Sequence, residues 1–105
     1  MKPINEASAC VVTVRYYDAN GNPRTPLSAR WRLWDKTNSR LVQDWSDIAT
    51  PSTSNDITIP ASLNEIFSDA KSFQDNVVVV QADAGTDQQW TNEVGYRIRN
   101  LSSFG

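Results

Sequence analysis

Histidine is absent from the 105 residues, and cysteine occurs once, as Cys10. Without an imidazole, one chain can build neither a histidine-based triad nor a histidine-ligated metal site. With one thiol it cannot build an internal disulfide framework. Long apolar runs are also missing. The longest is Val77-Val78-Val79-Val80, whereas a membrane-spanning helix needs roughly 20 apolar residues. The N-terminus, Met1-Lys2-Pro3-Ile4-Asn5-Glu6, carries no apolar h-region, and the cluster Val11 to Val14 stops at Arg15. The expectation is a soluble chain made in a cytosol, with no secretory leader. An excess of positive charge is lacking too. Ten Lys and Arg stand against twelve Asp and Glu, a net charge of −2 with a pI near 4.9. That balance argues against a strongly basic nucleic-acid binder.

What is present suits one small β-domain. The length allows one domain over residues 1–105, with residues 1–8 as an N-terminal arm and 102–105 as a short tail. A chain this short buries only roughly 60% of its unfolded surface, so each large side chain counts. Four Trp, three Tyr and three Phe are available, and each Trp must serve the core, an interface or a ligand platform.

The dominant period is two, not 3.6. Over residues 9–17, Val12, Val14 and Tyr16 share one face, while Val11, Thr13, Arg15 and Tyr17 share the other. Asp18-Ala19-Asn20-Gly21-Asn22-Pro23 closes that strand as a turn. Residues 28–35 set Ala29, Trp31 and Leu33 inward against Arg30, Arg32 and Trp34 outward. Residues 40–45 return antiparallel after the turn formers Lys36 to Ser39. Residues 56–60 form a short strand stopped by Pro60. Residues 76–82 form the most apolar strand, central and buried on both faces. Residues 93–100 place Val94, Tyr96 and Ile98 inward, with Arg97 and Arg99 outward. Residues 61–70 are the single helical candidate, with Ser62 as cap, Glu65 three residues on, and Leu63, Ile66, Phe67 and Ala70 at helical spacing. The pattern predicts an all-β, antiparallel β-sandwich of six to seven strands with one short helix.

Five segments together carry a resemblance. They are Val12-Thr13-Val14-Arg15-Tyr16-Tyr17-Asp18, Trp31-Arg32-Leu33-Trp34-Asp35, Val42-Gln43-Asp44-Trp45, Ile57-Thr58-Ile59-Pro60-Ala61-Ser62-Leu63-Asn64, and Tyr96-Arg97-Ile98-Arg99-Asn100-Leu101. The chain resembles small immunoglobulin- or fibronectin-III-like structural proteins of tailed bacteriophages. The resemblance runs from about Val11 to Leu101. It implies an immunoglobulin-like form of the all-β sandwich and a virion part with no catalytic residues: a capsid decoration or cement protein, a head–tail connector, or a tail accessory. It departs from a true immunoglobulin domain in having no second cysteine for an inter-sheet disulfide.

Candidate chemistry is sparse. Asp18 to Asn22 superficially looks like a calcium loop, but glycine stands at its fourth position, Pro23 at its sixth and Ala29 at its twelfth. An EF-hand needs glycine at six and glutamate at twelve. Asp35, Asp44, Asp47, Asp56 and Glu65 could pair as glycosidase carboxylates, yet nothing singles out two of them. They sit where Asp caps turns. Cys10 reads as a small residue at a strand start. No cofactor and no metal are expected, and the reading is of a protein that is not an enzyme. Arg30, Arg32, Trp34, Arg97 and Arg99 are the candidate interface, all outward by alternation. The acids Asp44, Asp47, Asp56, Glu65, Asp69, Asp75, Asp83 and Asp87 are read as loop residues, which would segregate charge by sign. An exposed Trp beside Arg is a common hot-spot pair. The expected partners are a major capsid protein or other virion subunits, met in a homo-oligomeric or multi-copy assembly, with no nucleic acid and no membrane. The expected location is the virion, after synthesis in the host cytoplasm. The reading from a different class is a carbohydrate- or protein-binding module using Trp34, Trp45 or Trp90.

Overall fold

Alternating β-branched and polar residues become seven strands among the residues described by the computed structural model, 3–67 and 72–100. They are β1 (Ile4–Asn5), β2 (Cys10–Arg15), β3 (Ala29–Asp35), β4 (Arg40–Asp47), β5 (Ser54–Ile59), β6 (Phe73–Ala82) and β7 (Trp90–Arg99). The order β1-β7-β6-β3-β4 makes one sheet, and β2-β5 makes the other. The protein is all-β. With β2-β5 facing β4-β3-β6-β7, the sandwich has the strand neighbours of an immunoglobulin-like fold.

The two sheets share one core. β2 alternates buried and exposed without exception from Cys10 to Arg15. Val12 and Val14 meet Leu33, Val78, Val80 and Ile98 from the larger sheet, and Ile57 and Ile59 come from β5. Leu33, Ile59, Val78, Val80 and Ile98 have no exposed surface. Each fully buried side chain of this size contributes roughly 1.5–3 kcal/mol relative to exposure.

Several expectations change in detail. The sheet is mixed rather than wholly antiparallel, because β1 runs parallel to β7 with Ile4 opposite Ile98. So part of the expected arm, residues 1–8, is a strand. The expected tail, residues 102–105, lies outside the described residues. The helix expected over 61–70 is a single 3-10 turn, Ala61–Asn64, preceded by Pro60 and given no side-chain cap by Ser62. Tertiary bonds explain the early stop. Asn64 turns its amide into the core, where it accepts from the Tyr96 hydroxyl at 2.6 Å and donates to the Ser8 carbonyl at 2.8 Å. Glu65 is then extended, and the Phe67 amide donates to Gln74 Oε1 instead of to a helical carbonyl. Leu63 and Ile66 still pack on the core, while Phe67 is exposed. Residues 68–70, including Ala70, lie outside the described residues.

β6 is central, as its apolarity suggests, but it begins three residues early. Its inward side there carries Gln74 and Asn76, both buried. Gln74 donates to Asn76 Oδ1 and accepts from Asn38, which also donates to the buried Asp35. A hydrogen-bonded polar chain thus replaces apolar contacts at this end of the core. β7 also begins early, at Trp90. That residue, expected in a loop, packs edge-on against Tyr16 with ring centroids 5.6 Å apart. Trp31 faces the core, half-buried, as its alternation predicts.

The outer face of the larger sheet as a candidate interaction surface

Register decides which side chains share the face turned away from β2-β5. β3 pairs with β6 so that Arg30, Arg32 and Trp34 lie opposite Gln81, Val79 and Val77. β7 pairs with β6 so that Glu93, Gly95 and Arg97 lie opposite Val79, Val77 and Asp75. Three rows result: Arg32-Val79-Glu93, Trp34-Val77-Gly95, and the pair Asp75-Arg97. Long side chains therefore flank a middle column of valines, and Gly95 leaves one wall open.

That contrast in side-chain size makes a trough. One depression of about 340 Å³ is lined by Arg32, Trp34, Lys36, Val77, Val79 and Glu93. A second, of about 350 Å³, extends past Gly95 to Asp75 and Arg97 and shares Lys36 and Val77 with the first. A Cβ placed on Gly95 would meet only the Asn76 carbonyl oxygen, at 3.8 Å. The glycine is therefore not required by crowding.

The five candidate interface residues all lie on this face, but as two columns rather than one cluster. Strands lie about 4.7–4.9 Å apart, so β6 separates the β3 column from the β7 column by two such steps. Arg30 donates from Nε and NH2 to Gln81 Oε1, at 3.0 and 2.6 Å. It also lies 4.2 Å from the Trp45 ring centroid, and Arg32 stacks on the same ring at 4.9 Å. Arg32 makes no ion pair among the described residues, and its buried Nε has no hydrogen-bond partner. Trp34 is half-buried in the trough wall. Arg97 is exposed, bonds Asp75 at 2.8 Å and lies over Phe73. Arg99 is exposed, opposite Phe73 in the register.

Trp45 reaches the face through an irregular strand. β4 pairs with β3 through two register shifts, and its exposed residues recur every third position instead of every second. Bulges of this kind re-aim side chains and blunt a sheet edge.

The acids do not separate from the arginines as expected. Asp44 and Asp47 lie in β4, Asp56 in β5 and Asp75 in β6. Asp75 and Glu93 stand on the arginine face itself, while Asp69 lies outside the described residues. The Arg97 hydrogen bond, with a smaller contribution from Lys36, holds the Asp75 carboxyl below its ordinary range, and the Asp75 carboxylate in turn pushes Arg97 up. Lys36, Val77, Val79, Glu93 and Gly95 complete the trough, though the alternation of single strands does not bring them together.

Several of the remaining candidate groups are engaged structurally. The Asp18 carboxylate accepts from the Asn20 and Asn22 amides and closes its turn around Gly21. Asp35 is fully buried and accepts from the Asn38 amide and Arg40 Nε. Asp44 bonds the Trp45 amide, and Asp56 bonds the Thr13 hydroxyl. Asp83, buried in a left-handed conformation, accepts from the Leu27 and Ser28 amides and pairs with Arg24. Burial pushes the Cys10 thiol up, away from the reactive thiolate. Among the described residues, no group of three His, Cys, Asp or Glu side chains could hold a metal ion. No helix there is long and apolar enough to cross a membrane.

No family model, no curated protein and no solved structure matches the chain.

Proposed function

We propose that this chain is a non-enzymatic docking domain, a capsid decoration protein of a tailed phage that binds other virion subunits through the outer sheet face. The observation that carries the docking part is Arg32. It is a guanidinium stacked on Trp45, beside Trp34, with no ion-pair partner among the described residues. A cation held in place by an aromatic ring with its donors unspent is suited to a partner's acceptor. The virion part rests on the five sequence segments that resemble phage structural proteins. The engagement of Asp18, Asp35, Asp44 and Asp56 in turns, strand contacts and an ion pair supports a role without turnover. Such a contact should bury about 800 Å² on each partner. Repetition over a shell would strengthen a weak contact by multivalency.

Gradient sedimentation of assembled particles, followed by detection of this chain, tests the reading. The chain is expected with intact particles, and Trp34→Ala and Arg32→Glu should be lost from them while keeping a folded free form. A chain found only in the free fraction overturns the proposal. Co-migration with isolated tails overturns the capsid assignment.

A further inference from the structure

We infer that the trough along β6 receives an extended acidic segment of the partner protein, with a carboxylate on Arg32 and an apolar side chain in the opening at Gly95. This deepens the docking reading and rests on it. The trough floor runs from Val79 past Val77 to Asp75, four residue steps or roughly 13 Å of strand. An extended partner segment presents a side chain to one face at every second residue, with the same spacing as Val79 and Val77. One such side chain would lie in the row of Arg32, and the next in the row of Trp34 and Gly95.

Charge selects the first of these. Arg97 is neutralised by Asp75, which leaves Arg32 and Lys36 against Glu93 along the trough, an excess of one positive charge. Arg32 has no acceptor among the described residues, whereas Arg30 beside it is already bonded to Gln81. Bonds from a guanidinium to a carboxylate are the stronger, charge-assisted kind. Glu93 stands across the same row from Arg32 and would repel an incoming carboxylate. The acid must therefore lie toward β3, and Glu93 limits affinity. Apolar lining selects the second side chain: Trp34 and Val77 offer surface there, and Gly95 adds no bulk.

The test is an NMR titration of the ¹⁵N-labelled chain with capped hexapeptides alternating glutamate and leucine, glutamine and leucine, or lysine and leucine. The glutamate peptide is expected to shift Val77, Val79, Gly95 and the Trp34 indole, and to bind about tenfold tighter than the glutamine peptide, one charge-assisted contact's worth. Arg32→Gln should abolish that preference, and Glu93→Gln should tighten the glutamate peptide several-fold. Gly95→Leu, whose Cβ meets the Asn76 carbonyl oxygen only at ordinary contact distance, should block binding while keeping a dispersed spectrum. Equal binding of the glutamine peptide, or shifts confined to another surface, overturns the inference. So does a trough that answers to a cello-oligosaccharide and to none of the peptides. Particle sedimentation separates this inference from its parent. If the parent chain and both Arg32→Gln and Gly95→Leu stay with particles, the trough assignment falls and docking stands. If the parent chain itself is absent from particles, docking falls whatever the peptides do.

Discussion

Asn64 ties three parts of the chain together, and removing its amide should cost far more than its small size suggests. The residue is fully buried at the end of the 3-10 turn. Its Oδ1 accepts from Tyr96 of β7, and its Nδ2 donates to the Ser8 carbonyl between β1 and β2. Asn64→Ala would leave a buried hydroxyl and the Ser8 carbonyl without partners. Each orphaned group costs about 1–3 kcal/mol, so the sum is about 2–6 kcal/mol. A domain of this size has only about 5–15 kcal/mol in total. Urea denaturation should show a lower midpoint with an unchanged slope. Asn64→Asp adds a sign test. A buried carboxyl there has its folded pKa raised above the unfolded value, because desolvation opposes its charge. Its stability is then fully present below the unfolded value of about 4 and is lost as pH rises through the folded one. The aspartate variant should therefore approach the parent near about pH 4 and fall behind it near about pH 7. An alanine variant within about 0.5 kcal/mol of the parent would refute the reasoning, because that is the range of ordinary surface substitutions.

Three further outcomes follow from the packing and the ion pairs. Leu33→Ala, at a position with no exposure, should lose about 2–5 kcal/mol by leaving a cavity, and thermal melting should drop by at least about 8 °C. Asp83→Asn keeps a side-chain oxygen for the Leu27 and Ser28 amides, and asparagine accepts the left-handed backbone. It removes the charge opposite Arg24 and replaces the oxygen that accepts from that guanidinium by an amide nitrogen, so a loss of about 1–3 kcal/mol by chemical denaturation is expected, and no loss would make that pair irrelevant to stability. Asp75 has its folded pKa lowered below the ordinary 3.8 by Arg97, so its contribution is present above that value and lost as pH falls through the folded one. The stability gap between the parent and Asp75→Asn should shrink on acidification and in high salt, and a gap indifferent to both would contradict the assignment.

Much of the sandwich was legible because its core faces obey period two. Val12 and Val14 on β2 with Tyr16 just beyond its end, and Val94, Tyr96 and Ile98 on β7, point inward as their alternation requires. The helix over 61–70 does not form because helical spacing records only which residues are apolar, whereas Asn64 and Gln74 decide where the turn ends through bonds to distant strands. The polar neighbours of Trp90 suggest a loop, yet contact with Tyr16 holds it at the core rim. The arginines of the outer face were readable one strand at a time. The trough was not, because it depends on strand order and register. Arg32 and Trp34, Val77 and Val79, and Glu93 and Gly95 meet only after β3, β6 and β7 are paired. No linear spacing encodes that juxtaposition. Asp75 reads as a loop residue because β6 starts with polar residues that resemble a turn.

The docking face can be tested most directly by site-specific photocrosslinking in assembled particles. A photoreactive phenylalanine analogue would replace Trp34 on the outer face, and in a parallel sample Thr58, exposed on the opposite sheet. The account predicts a discrete crosslink from position 34 to one virion subunit and none from position 58. A crosslink from position 58 with silence at position 34 would contradict it.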